Sequence, residues 1–280
     1  IMTFRLFLFF SLLISFYSCQ KEVQEKPVIM EMKTDTLHTI TDDTKMVLIT
    51  GGSFKPFFGS DTSIVKVETF MMDEHPVTNR EFLTFVKANP QWRKSMVKRL
   101  FADESYLINW VSDTILPLNI NPDAPVCSVS WFAAKAYSES VNKRLPTLDE
   151  WEYTARADEK LADARKVKDY SDRIIKLYMI KDRQFNPVKQ HNPNYWGVYD
   201  MFDLIWEWTD DFNSVLSTGD SRESSYDNKG LFCAGSATSA IDLMNYAAFM
   251  RFGFRTSLKA NYTVSNLGFR CAKDIIKTIQ

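Results

Sequence analysis

Arg251 and Arg255 lie four positions apart near the C-terminal end of the chain. On a helix this spacing sets two guanidinium groups side by side, able to clasp a carboxylate. Trp206-Glu207-Trp208 puts an acid between two indoles; on a strand both rings face one side and the carboxylate the other. Arg144, followed by Leu145-Pro146 and then Glu150 and Glu152, is placed to pin a loop to a helix start by charge-assisted bonds. Metal chemistry has less to work with. The histidines are His38, His75 and His191, and no two share a ligand spacing. Cys127, Cys233 and Cys271 admit one disulfide in an oxidising compartment, or a mononuclear thiolate site for copper.

Capping and periodicity give the elements that must position these groups. Met46 to Ile49 reads as a strand stopped by Gly51-Gly52, and Ile64 to Met72 as a second one ending in the turn Asp73 to Pro76. Thr78, an early acid, and Phe82, Phe85 and Val86 at helical spacing predict a helix. Another is predicted from Ser130 to about Asn142. Thr147 with Glu150 three residues later is a capping box that opens a third. Residues 156–188 are charged and aperiodic, the pattern of a surface excursion. In residues 87–123, Trp92, Arg93, Lys94, Lys98, Arg99 and Trp110 interleave bases with aromatics, as a protein-contact surface does.

The whole chain has 280 residues, 45% of them hydrophobic and 14% aromatic, with a formal net charge of −1. That composition supports one sizeable core and gives no basic face for nucleic acid. Four cysteines are too few for a disulfide scaffold. After Met2 and Arg5, the apolar run from Leu6 to Phe16 is shorter than the roughly 20 residues of a membrane span. It leads into Ser18-Cys19 and then polar sequence, which resembles a bacterial lipoprotein signal with Cys19 as the acylated residue. The expected organisation is a signal peptide at 1–18, a polar tether at 19–45 and a single domain at 46–280. The expected location is the cell envelope, with the membrane reached through the N-terminal lipid.

Five segments in order then resemble the formylglycine-generating enzyme (sulfatase-modifying factor) family: 46–54, 70–85, 125–156, 194–208 and 266–272. The most specific is Val129-Ser130-Trp131, Ala134-Lys135-Ala136-Tyr137, Lys143 to Thr147 and Glu150-Trp151-Glu152-Tyr153. The resemblance implies an α+β, C-type-lectin-like fold with modest regular secondary structure. It also implies two copper-binding cysteines, but Ala247 and Phe252 stand at their places, so copper is not expected. A calcium site is expected from the same resemblance at Asp203 and Glu207. The leading expectation is a binding or accessory component of an envelope enzyme or assembly, with an envelope protein partner. The alternative is an oxidoreductase acting on a protein cysteine or a small molecule, its pocket formed by Trp208, Arg251 and Arg255 with Tyr246 or Cys233.

Overall fold

The computed structural model describes residues 37–42, 44–56, 64–213 and 243–275, with side chains in the last stretch from Ala247 onward. Cys19, Cys233 and the tether before Leu37 lie outside the described residues. The strands are β1 (Met46–Ile49), β2 (Gly52–Phe54), β3 (Val65–Val67), β4 (Phe70–Asp73), β5 (Trp206–Glu207), β6 (Leu267–Gly268) and β7 (Ala272–Asp274). The α-helices are α1 (Asn79–Ala88), α2 (Trp131–Ser140), α3 (Leu148–Ala155), α4 (Tyr170–Tyr178) and α5 (Leu243–Thr256). An antiparallel sheet has the order β1-β4-β7, β2 pairs with β3, and β5 runs parallel to β6.

The helix starts follow local chemistry. Thr78 and Glu81 form a capping box on α1, and Thr147 and Glu150 another on α3; the Ser130 hydroxyl caps α2 by accepting from the Ala133 N–H. Each such cap is worth about 1 kcal/mol. One hydrophobic core joins α1 and α2 through Phe82, Phe85, Tyr137 and Phe269, whose rings meet at 5.2–6.1 Å between centroids. A second gathers β1 and β4 with Trp151, Tyr170, Phe202 and Ala247.

Three expectations are corrected. The strand over 64–72 is two strands, because the chain changes partner from β2 to β1 at Glu68-Thr69. Gly51 backs onto this break: a Cβ there would sit 2.4 Å from the Val67 carbonyl oxygen. Residues 156–188 are no excursion. They contain α4, which buries Tyr170 and Ile174 and turns Asp172 and Arg173 outward. The expected tether is docked on the body from Leu37: Leu37 and Ile40 pack on the first core, and the Ile40 N–H donates to the Ser140 carbonyl. Lys143 Nζ lies 2.6 Å from both Asp42 and Asp73, a buried ion triad that ties this segment to β4.

Candidate functional site

α3 and α5 carry the charge cluster that the arginine spacing announces. Arg251 binds Glu152 two-toothed, Nε to Oε1 at 2.9 Å and Nη2 to Oε2 at 2.7 Å; Arg255 adds a bond of 2.8 Å to Oε1. Arg251 Nη1 also donates to the Tyr178 hydroxyl at 3.1 Å. Both guanidiniums lie over the Trp151 ring, at 5.6 and 4.8 Å from its centroid. Burial pushes the Glu152 carboxyl up, but the two guanidiniums outweigh it and hold the group below its ordinary value. The two arginines do clasp a carboxylate. It belongs to the protein.

Of the residues expected to form a ligand pocket, Arg251 and Arg255 are engaged by Glu152. Trp208 is fully buried, donates to the Val129 carbonyl at 2.9 Å and packs edge-on against Phe212. The Tyr246 side chain and Cys233 lie outside the described residues. Ala247 is buried in the second core and Phe252 is half-buried on α5. Cys127 and Cys271 are both free thiols, and burial pushes each of them up.

Glu207, expected to share a calcium ion with Asp203, is engaged by an arginine. Arg270 brings a fully buried guanidinium to the β5–β6 junction, and its two-toothed bonds to Glu207 are 2.8 Å each. The Trp151 indole donates to Glu207 Oε2 at 2.7 Å. Glu207 is thus the counter-charge of Arg270. Trp206 stacks between Tyr178 and Phe254, with centroids 4.8 Å away on each side, so the two indoles and the acid separate as the strand alternation requires.

Asp203 has other company. His191 Nδ1 is 3.1 Å from Asp203 Oδ2, and single ligand atoms of His191, Asp200 and Asp203 all lie within 4.8 Å of one another. Lys189 and Asp200 both adopt left-handed backbone (φ 63° and 58°), and the Lys189 N–H donates to Asp200 Oδ2 at 2.7 Å. Asp200 Oδ1 is buried and accepts no hydrogen bond. Burial pushes both Asp200 and Asp203 up, against the pull of the Lys189 N–H and of His191 respectively. The three residues border a cavity of about 420 Å³ whose apolar wall includes Tyr170, Ile174, Met201 and Phe202. Sequence reasoning missed this cluster because it sought a second histidine for His191. The spacing of three between Asp200 and Asp203 was the available signal.

The 87–123 segment turns its aromatic groups inward. Trp110 is almost completely buried and donates to the Asn79 side chain at 3.1 Å; Trp92 packs between Phe85 and Phe101. Arg93 donates to the carbonyls of Val86 and Lys87. These three residues, expected at a partner contact, anchor the segment within the chain. Along the same segment Met96, Leu100, Ile108, Val111, Ile115 and Leu118 are each more than half exposed. Ser95 bonds to Asp113, and Lys94 reaches the carbonyls of Ile108 and Trp110, so the two halves of this segment are tied together.

The family described as the sulfatase-modifying factor enzyme 1-like domain matches residues 32–275. The chain belongs to this family. Within it, the chain is 28% identical over 250 residues to a formylglycine-generating enzyme of Streptomyces coelicolor, covering 75% of this chain and 80% of that one. It is 27% identical over 274 residues to the inactive C-alpha-formylglycine-generating enzyme 2 of Bos taurus, covering 81% and 87%. Among solved structures, PvdO from Pseudomonas aeruginosa aligns at a TM-score of 0.46 and 21% identity, over 82% of this chain and 94% of that one. The α+β, single-domain fold expected from the resemblance is that of the sulfatase-modifying factor family. Among the described residues, no helix is long and apolar enough to cross a membrane.

Proposed function

We propose that the chain is a lipid-anchored, extracytoplasmic member of the sulfatase-modifying factor family that holds an envelope protein partner and forms no formylglycine. The observation that carries this reading is the run of large apolar side chains in residues 96–118, Met96, Leu100, Ile108, Val111, Ile115 and Leu118, each more than half exposed on a segment pinned by Trp92 and Trp110. Apolar side chains held out on a well-packed scaffold mark an interaction surface. Lys98 is exposed within the same segment, and Arg99 faces Glu104 at 3.8 Å, so the complementary partner is chiefly an apolar patch. The absence of formylglycine chemistry is supported by Ala247 and Phe252, which cannot supply the thiolates that Cu(I) requires. A relative bearing the name of an inactive enzyme shares the domain.

A photo-crosslinking residue at Leu100 or Leu118 in the intact cell should give one discrete protein adduct. Val111→Glu should remove it while leaving the fold unchanged by circular dichroism. Absence of a discrete adduct from both positions would overturn the contact. Cu(I), oxygen and a cysteine-containing sulfatase peptide should yield no aldehyde by mass spectrometry, and aldehyde above background would restore the enzyme reading. Cys19→Ala should release the protein from the membrane fraction, and a wild-type protein already soluble would remove the anchor.

A further inference from the structure

We propose that the segment from Leu37 to Thr44 is a detachable strap, clasped to the body at Lys143 and able to lift away while the rest of the fold stays closed. Its seating on the body is light. Strand pairing begins only at Met46. Among the described residues, the strap's polar bonds to the body join the His38 backbone to the Asn89 side chain (2.7 and 3.1 Å), the Ile40 N–H to the Ser140 carbonyl (3.0 Å) and the Thr44 hydroxyl to Glu81. Leu37 and Ile40 pack on the first core but stay partly exposed, and His38, Thr39 and Thr41 face solvent. A cavity of about 390 Å³ is lined by Ile40, Asp42 and Thr44 of the strap and by Glu74, Arg80 and Tyr137 of the body. Close-packed interiors leave few voids larger than a water molecule. A segment with few apolar contacts over such a void opens at far lower free energy than a core strand or helix.

The ion triad makes this opening possible. Separating a buried ion pair is costly chiefly because it strands a charge. Here one ammonium serves two acids. Lys143 Nζ donates to Asp73 Oδ1 at 2.6 Å, whereas Asp42 Oδ2, at the same distance, accepts no hydrogen bond. When the strap lifts, Asp42 enters water and Lys143 keeps Asp73, whose other oxygen accepts the Cys271 N–H. No charge of the body is orphaned, so Asp42 acts as a clasp rather than a rivet. The strap's use rests on the lipid-anchor reading above; its opening does not. With Cys19 held at the membrane, release moves the point of attachment from Leu37 to Lys45. At about 3.3–3.6 Å per residue, the greatest span of the intervening chain rises from roughly 60 Å to roughly 90 Å. The body then reaches partners at two heights above one membrane.

The test is hydrogen exchange of the full-length protein, resolved to single amides, on vesicles of phosphatidylethanolamine and phosphatidylglycerol. The Ile40 amide should exchange at least about 100-fold faster than the bonded amides of β4 and α2. Asp42→Ala should speed it about tenfold further and leave β4 and α2 as they were. Leu37→Ser, Ile40→Ser and Asp42→Ala together should hold the strap open and lower energy transfer from a dye at position 160 to a labelled lipid, with β4 still protected. An Ile40 amide as slow as β4, one indifferent to Asp42→Ala, or a variant that speeds all three elements together would overturn the strap. Unchanged energy transfer in the triple variant would overturn the two heights. A wild-type protein that fails to bind the vesicles removes the anchor instead, and exchange in solution then decides the strap by itself.

Discussion

Asp200 is a buried carboxylate and Glu152 a nearly buried one, both close to the second core, and they differ in what surrounds their oxygens. Glu152 receives three bonds from two guanidiniums across about 100 residues of sequence. Asp200 receives one backbone N–H on one oxygen and nothing on the other. The first arrangement compensates desolvation inside the protein and leaves no valence for a ligand. The second leaves part of that compensation to something from outside. Charge alone marks neither as a site; the partner list distinguishes them.

This contrast can be broken most directly at Arg251. Arg251→Leu leaves Glu152 buried with Arg255 alone and should destabilise the fold by about 3–5 kcal/mol in urea unfolding. A cost below about 1 kcal/mol would mean that the cluster is not supporting α3 against α5.

The second effect is smaller and depends on pH. Burial raises Asp73 from 3.8 to about 6, despite the Lys143 ammonium beside it. A folded state that holds its proton more tightly than the unfolded chain loses stability as pH rises from about 4 to about 6. Relative to Asp73→Asn, the wild type should therefore lose on the order of 2 kcal/mol across that window, read from unfolding curves. Glu152, held low, works in the opposite sense: its contribution is present above the ordinary glutamate value and disappears as acid reaches its folded pKa.

A partly exposed counterpart sharpens the comparison. Arg144 binds Glu150 two-toothed at 2.7 Å and reaches Asp274, yet its side chain keeps about a third of its exposure. Arg144→Ala should cost only about 1 kcal/mol, and less in high salt. The smallest effect belongs to Asp200→Asn, which removes a charge that nothing inside the protein fully compensates. The stability of this variant should stay within about 1 kcal/mol of wild type. A loss as large as that of Arg251→Leu would place Asp200 with the scaffold.

What could be read in the sequence was what is local. Thr78 with Glu81, Ser130, and Thr147 with Glu150 announce their helices because each cap lies within one turn of its donor. The Arg251–Arg255 spacing announced a carboxylate clasp for the same reason. The identity of the clasped group was hidden, since Glu152 arrives from another element. Tyr170 and Ile174 carry the helical period of α4, but charged neighbours mask it. Leu37 and Ile40 looked like tether because two apolar residues among polar ones acquire meaning only from the core they meet. Asp200 was missed because an unpartnered oxygen is a property of three dimensions, and Glu207 was read toward calcium because its counter-charge, Arg270, lies 63 residues away in sequence.

The central position of β4 has a consequence for timing. Its two edges are closed by β1, close by in sequence, and by β7, where Met72 finds Ala272. Glu207 likewise stays without its counter-charge until Arg270 exists. A ribosome adding about 5–20 residues per second takes roughly 10–40 s to pass from one strand to the other. Through that interval β4 offers an open hydrogen-bonding edge, and a partly made chain keeps a carboxylate in water that the finished core encloses. Closure of this sheet thus waits for β7 rather than accumulating gradually, and a chain cut short before Phe269 should remain a substrate for chaperones and proteases however intact its capped helices are.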